Sequence, residues 1–258
     1  MAKAFTPLVI ANWKMNLSLK ESVGLTRAVL TGLARRRPGS HPELVLCPSF
    51  PALAPVATLL KGKAKLARLG AQDVFWKTSG PYTGEVSPQV LKELGVAYVI
   101  VGHSERRQYL RESDAMVRQK VAAALHAGLT PVLCVGETFA ERQLHQKDVV
   151  VARQVAAALT GLQLTPSDQL VVAYEPVWVI GSGQAVEPEE AFHTARVIKQ
   201  ALVDLFPARQ ISNQVRVIYG GSVDPTNIAA FVGRELRGVL VGGASLAAKR
   251  LLAIIKAL

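Results

Sequence analysis

The sequence has few cysteines and no long apolar run, which argues against several common classes of protein. It has only two cysteines, Cys47 and Cys134, among 258 residues, and both lie in apolar, strand-like runs. Two buried, reduced thiols are therefore expected rather than a disulfide framework or a redox pair. No apolar run reaches the roughly 18 residues of a membrane-spanning helix, and charged Lys14 interrupts the first apolar stretch before it resembles a secretory leader. These absences predict a cytoplasmic protein without a membrane segment.

Acidic residues are few relative to basic ones, with 19 Asp and Glu against 30 Lys and Arg, a net charge of +11. Such a charge invites a nucleic-acid interpretation. However, the basic residues are spread along the chain, and the one tight run, Arg35 to Arg37, has no interleaved aromatic residues. We therefore expect no nucleic-acid partner, although a positive field would attract a small anionic substrate. The five histidines lack metal-ligand spacing, so no metal site is predicted.

Hydrophobic residues make up half of the chain, and many fall in short runs of Val, Ile and Leu. These runs do not alternate with polar residues, which is typical of parallel strands buried on both faces. Amphipathic helical patterns separate them. Eight strands alternating with helices favour one closed (β/α)8 barrel spanning residues 1–258 as a single domain, with an open doubly wound sheet as the alternative. The predicted strands lie near 7–12, 43–47, 66–71, 97–101, 130–135, 169–174, 214–219 and 237–241.

Polar residues stand at the carboxyl ends of three predicted strands, where barrel enzymes place their chemistry. Strand one ends at Asn12 and Lys14, strand four at His103, and strand six at Glu175. Each alone has an ordinary explanation as a turn residue, a solvated strand end, a structural histidine or an ion-pair partner. Together, an amide, an ammonium, an imidazole and a carboxylate suit proton abstraction beside a carbonyl.

Glycine-rich turns follow the last three predicted strands. They read Gly181-Ser182-Gly183, Gly220-Gly221-Ser222 and Gly242-Gly243. Any one of them could be an ordinary turn, but three in succession let backbone N–H groups converge on one anion. We therefore expect a phosphate site next to the polar strand ends.

Several longer motifs follow one another along essentially the whole chain. They are ANWKMN at 11–16, GHSERR at 102–107, YEPVWVIGSG at 174–183, YGGSV at 219–223 and LVGGASL at 240–246. Together and in this order, these motifs resemble those of the triosephosphate isomerase family. The resemblance implies a TIM barrel with parallel strands. It also implies interconversion of dihydroxyacetone phosphate and D-glyceraldehyde 3-phosphate without a cofactor, in glycolysis and gluconeogenesis.

The resemblance also assigns roles to individual residues. It implies that Glu175 is the base, that His103 polarises the carbonyl, and that Lys14 and Asn12 bind the substrate. Glu105 would support Lys14, with Ser104 opening a helical turn after His103. The phosphate would be held by backbone N–H groups of Gly181, Ser222, Gly242 and Gly243. Residues 176–183 would form a water-excluding lid, of which this family is a well-known example, and Tyr219 would latch it.

The third loop, residues 71–87, is long for a barrel connection and resembles the family's dimerisation loop. The resemblance implies a homodimer in which Thr83 reaches towards the partner's active site. An intramolecular flap is the alternative. The chain departs from the family pattern at Val179, usually alanine, and at Asp73, often asparagine.

Two other functions would share parts of this sequence pattern. A different phosphate-binding barrel, such as a sugar-phosphate epimerase, would share the glycine turns but not NWKMN together with YEPVWVIGSG. A non-catalytic barrel paralogue that binds an anion or a macromolecule would tolerate loss of Glu175, His103 or Lys14, and all three are present.

Overall fold

The computed structural model describes residues 5–36, 41–233 and 235–258. Eight parallel strands form a closed barrel in sequence order, with β8 pairing back onto β1. This confirms the predicted (β/α)8 barrel and excludes the open sheet. Arg37, the last residue of the basic run, lies outside the described residues. The strands are β1 Leu8–Asn12, β2 Glu43–Cys47, β3 Arg68–Ala71, β4 Val96–Val101, β5 Thr130–Val135, β6 Leu170–Tyr174, β7 Val215–Tyr219 and β8 Gly238–Val241.

Helices connect the strands on the outside of the barrel. Ser18 caps the first helix. The spacing of Ser18 and Glu21 predicts a capping box, and the structure contains it, since the Ser18 hydroxyl accepts from Glu21 N–H and the Glu21 carboxylate accepts from Ser18 N–H. Among the described residues they are α1 Leu19–Ala34, α2 Phe50–Leu60, α3 Pro88–Glu93, α4 Ser104–Tyr109, α5 Asp114–His126, α6 Phe139–Gln143, α7 Lys147–Leu159, α8 Pro188–Val203, α9 Ala208–Gln214 and α10 Ala248–Lys256.

The sequence predicts one helix start that the structure does not contain. Asp224-Pro225 places a capping side chain before a proline, which is typical of the first turn of an α-helix, but only a short 3₁₀ turn, Ile228–Phe231, follows. Asp224 Oδ1 accepts hydrogen bonds from Thr226 N–H at 2.7 Å, from the Thr226 hydroxyl at 2.6 Å and from Asn227 N–H at 3.2 Å. These local bonds satisfy the backbone without a helix, which is how Asp often favours turns.

The core has two layers, which explains why the strand sequences do not alternate. On β1, Leu8 and Ile10 face the barrel interior, while Val9 and Ala11 pack against the surrounding helices. The amino-terminal end of the interior is closed by Glu43, whose carboxylate accepts hydrogen bonds from the Tyr98 hydroxyl and from Arg216.

Helices long and apolar enough to cross a membrane are not found among the described residues.

Candidate active site

A cavity of about 280 Å³ opens at the carboxyl ends of the strands. The four polar residues predicted from the strand ends line it together, and so do the glycine turns after β6, β7 and β8. The structure therefore brings the predicted acid–base group and the predicted phosphate cradle to one place. The predicted residues in its lining are Asn12, Lys14, His103, Glu175, Gly181, Ser222, Gly242 and Gly243.

Glu175 lies directly after β6 and is almost completely buried. Its Oε2 accepts a hydrogen bond from Ser104 N–H at 3.0 Å, and its Oε1 lies 3.2 Å from His103 Nε2. Its backbone is fixed as well, because its N–H donates to Val135 O at 2.8 Å. A Cβ on neighbouring Gly136 would come within 1.7 Å of Glu175 O, so only glycine permits this close approach.

His103 caps the amino terminus of α4, and this contact defines its tautomer. The Nδ1 atom accepts a hydrogen bond from Glu105 N–H at 3.2 Å. A ring nitrogen that accepts cannot carry a proton, so in the neutral ring the hydrogen lies on Nε2, which faces Glu175. The imidazole can therefore donate a hydrogen bond into the cavity.

Lys14 is held in an unusual backbone conformation, with φ at 52°. Such conformations cost about 1–3 kcal/mol and need surrounding contacts to persist. Asn12 Oδ1 accepts from Lys14 N–H at 3.0 Å, and Gln72 Nε2 donates to Lys14 O at 2.8 Å. The ammonium lies 2.5 Å from Glu105 Oε1, so Glu105 contacts Lys14 as the resemblance implies.

Both ends of the predicted lid are anchored to the barrel. At the near end, Trp178 Nε1 donates to Glu137 Oε1 at 2.8 Å, and Arg142 stacks over the indole ring. Burial raises the pKa of the Glu137 carboxyl, and the bond from Trp178 opposes that shift. At the far end, Val186 N–H donates to the Tyr219 hydroxyl at 3.4 Å, a contact that fits the latch implied for Tyr219.

Sequence reasoning assigned no site role to four residues that support or line this cavity. Gln72 lies in the third loop and Glu137 lies outside the motifs, and their hydrogen bonds reach residues distant in sequence. Asp224 and Arg250 line the cavity, but the sequence indicates only a helix start at Asp224, and Arg250 carries no motif. Thr83 lies on the exposed tip of the third loop and is not among the residues lining this cavity.

The fold and the cavity define a (β/α)8-barrel protein with a polar, glycine-lined cavity at the carboxyl ends of its strands. Comparison with known proteins identifies the family. The family model described as triosephosphate isomerase matches residues 7–258. The chain belongs to the triosephosphate isomerase family, and it is an enzyme of the isomerase class.

Curated relatives and a solved structure agree with this assignment. A triosephosphate isomerase from Carboxydothermus hydrogenoformans is 43% identical over 251 residues, covering 97% of this chain and 98% of the relative. One from Chloroflexus aurantiacus is 43% identical, covering 96% and 98%. The crystal structure of triosephosphate isomerase from Bartonella henselae superposes with a TM-score of 0.83 at 35% identity, covering 98% of this chain and 99% of that one.

Proposed function

We propose that Glu175 and His103 carry out the isomerisation of dihydroxyacetone phosphate and D-glyceraldehyde 3-phosphate in this cavity. The observation that supports it best is the 3.2 Å separation of His103 Nε2 and Glu175 Oε1 beside the three glycine turns. A carboxylate base and a neutral N–H donor are the two groups that enolisation next to a carbonyl requires.

The proton moves between the two substrate carbons through Glu175. The carboxylate removes a proton from the carbon beside the carbonyl, and the electron pair of the C–H bond forms the enediolate. His103 Nε2–H and the Lys14 ammonium stabilise the charge that develops on the oxygen atoms. The hydroxyl proton of the enediolate moves to the other oxygen atom. Glu175 then returns its proton to the neighbouring carbon, and the carbonyl forms on the first carbon. Because Ser104 N–H holds one carboxylate oxygen at 3.0 Å, the side chain exchanges that bond for the substrate when it acts.

The phosphate lies among the backbone N–H groups of Gly181, Ser222, Gly242 and Gly243. At Gly242, a Cβ would meet Lys14 Cε at 3.3 Å, so glycine keeps this turn close to the ammonium. Closure of the lid over residues 176–183 excludes water, which strengthens the electrostatic interactions and protects the enediolate from losing phosphate.

The test is the isomerisation of D-glyceraldehyde 3-phosphate by the purified protein beside Glu175→Gln prepared identically. We expect activity in the wild type and a loss of several orders of magnitude in the variant, because an amide cannot accept the proton. Equal activity in both would assign the base to another residue, and no activity in the folded wild type would reject the reaction.

We also propose a homodimer formed through the loop 71–87. Hydrogen bonds connect three neighbouring segments, from Gln72 to Lys14 and from Lys14 to Glu105. Met15, which follows Lys14, is 95% exposed, and Tyr82 on the third loop is 40% exposed. Exposed apolar side chains on such a surface favour a protein partner.

Sedimentation of Met15→Asp tests the dimer. We expect the variant to shift towards monomer, while Val149→Asp, at an exposed position on α7, leaves the mass unchanged. A monomeric wild type would reject the dimer and favour the intramolecular flap.

The cytoplasmic location and the single domain over residues 1–258 remain predictions. Cell fractionation tests the first, and a single calorimetric unfolding transition would support the second.

A further inference from the structure

Two cationic side chains line the cavity, and they occupy different electrostatic environments. Lys14 is paired with Glu105 at 2.5 Å, so its charge is partly neutralised. Arg250 reaches the same cavity from α10. Because α10 packs against the turn Gly243–Ser245, Arg250 approaches the cavity from the element that follows the expected phosphate turn.

The charged residues in the first turn of α10 are all basic. The turn contains Lys249 and Arg250 and no acidic residue. The amino terminus of a helix already carries partial positive charge, so cations there are unfavourable by a few tenths of a kcal/mol. A bound dianion would reverse that penalty, since it attracts both the helix terminus and the guanidinium.

An acidic residue, Asp224, lies in the same cavity lining. Its carboxylate is fixed by the bonds from Thr226 and Asn227 described above, and these contacts, the Thr226 hydroxyl foremost, lower the pKa of Asp224, with the charge of Arg250 contributing. Asp224 is therefore ionised at neutral pH. A fixed carboxylate beside a phosphate site repels the substrate unless a cation screens it.

We propose that Arg250 is a further phosphate-binding residue and that Asp224 sets how strongly it acts. When no anion is bound, the guanidinium screens the Asp224 carboxylate. When the substrate enters, the guanidinium turns to the phosphate and adds a side-chain charge to a cradle otherwise made of backbone N–H groups. This proposal rests on the proposed function, because it assumes that the glycine turns hold phosphate. It makes the Asp224–Arg250 pair a determinant of substrate affinity that does not take part in proton transfer.

The experiment compares Arg250→Met, Arg250→Lys and Lys249→Met. Arg250→Met keeps the length of the side chain and removes the charge. We expect KM for D-glyceraldehyde 3-phosphate to rise about three- to tenfold, which is the size of effect that a partly exposed charge interaction gives. The kcat should be nearly unchanged. Arg250→Lys should restore most of the affinity. Lys249→Met makes the same charge change one residue away and outside the cavity lining, so KM should stay at the wild-type value.

Asp224→Asn removes a negative charge, so it should change KM in the opposite direction. The amide oxygen can still accept from Thr226 and Asn227, so the turn is preserved while the negative charge is lost. We expect KM to fall, and in an Arg250→Met background we expect Asp224→Asn to recover part of the lost affinity, because the unscreened carboxylate is then the main obstacle. A rise in KM for Asp224→Asn in both backgrounds would overturn the role assigned to the pair.

Binding of inorganic phosphate, followed by 31P NMR, separates this proposal from the proposed function because it needs no turnover. Weaker phosphate binding by Arg250→Met, with the difference shrinking at higher salt, supports Arg250 whether or not the protein isomerises triose phosphates. Equal phosphate binding and equal KM in wild type and Arg250→Met would overturn the proposal, even if Glu175→Gln abolishes activity.

Discussion

His103 Nε2 lies 3.2 Å from Glu175 Oε1, although the two residues follow strands β4 and β6, which are not neighbours in the barrel. The tip of β5 lies between them. A Cβ on Gly136 at that tip would come within 1.7 Å of Glu175 O, so this glycine lets the backbone of Glu175 lie close against β5. The position of Glu175 therefore depends on one glycine as well as on the barrel.

Glu175→Asp tests how tightly this geometry constrains the reaction. The shorter side chain withdraws the carboxylate by about one bond length, and a displacement of about 1 Å can cost about a hundredfold in rate. We expect kcat to fall by about that factor with KM little changed, measured with D-glyceraldehyde 3-phosphate. An unchanged melting temperature would serve as the control, and an unchanged kcat would show that the position of Glu175 does not limit proton transfer.

The tautomer of His103 gives a spectroscopic prediction. Since Nδ1 accepts from Glu105 N–H at 3.2 Å, 15N NMR of labelled protein should show a neutral ring protonated at Nε2. His103→Gln keeps a donor but places it differently, and we expect kcat to fall about a hundredfold or more, as for loss of a transition-state donor. A resonance from an Nε2-unprotonated ring would contradict this assignment.

The fold could be predicted because strands that are buried on both faces consist almost entirely of apolar residues. Runs such as Leu170–Tyr174 are apolar throughout, and all five of these residues are buried. Polar residues at the ends of such runs are conspicuous for the same reason, which is why Glu175 and His103 could be assigned to one mouth. The family resemblance then supplied individual roles that composition and spacing alone did not.

The contacts that fix these residues could not be predicted, because they join segments that are remote in sequence. Gln72 bonds to Lys14 across 58 positions, and Trp178 bonds to Glu137 across 41. Arg250 was missed for a different reason, since a cation in the first turn of a helix resembles ordinary surface charge. The expected helix after Asp224 failed because the side-chain bonds of that residue compete with helical ones, a balance of small free energies that sequence patterns do not resolve.

Trp178→Phe tests the anchoring of the lid. The variant removes the indole N–H from Glu137 Oε1, and only the longer hydrogen bond from the Tyr174 hydroxyl, at 3.3 Å, then reaches this oxygen of a fully buried carboxylate. A hydrogen bond to a charged acceptor contributes about 1.5–3 kcal/mol. We expect a lower free energy of unfolding, a kcat reduced several-fold, and more phosphate released per turnover because the lid excludes water less well. In a Glu137→Gln background the same change should cost less, because the acceptor is no longer charged, and an equal cost in both backgrounds would reject the role of this bond.

Glu43 predicts a pH dependence of stability at the opposite end of the barrel. Burial alone would raise the pKa of its carboxyl, but the hydrogen bonds from Tyr98 and Arg216 and the nearby charge of Arg68 lower it below the ordinary value of 4.5. A carboxyl whose pKa is lower in the folded state than in the unfolded chain stabilises the fold above the unfolded value, and that stabilisation is lost as the pH falls through the folded value. We therefore expect Glu43→Gln to lower the free energy of unfolding by about 1–3 kcal/mol at pH 7.

The difference between wild type and Glu43→Gln should shrink as the pH falls below about 4.5, where the unfolded chain takes up a proton at Glu43, and continue to shrink until the folded carboxyl is protonated too. Urea unfolding curves at pH 7, 5 and 3.5 measure it, with Glu93→Gln as a control at an exposed position near the end of α3. A constant difference at all three values would mean that the shape of the Glu43 side chain, and not its charge, holds the amino-terminal end of the barrel closed.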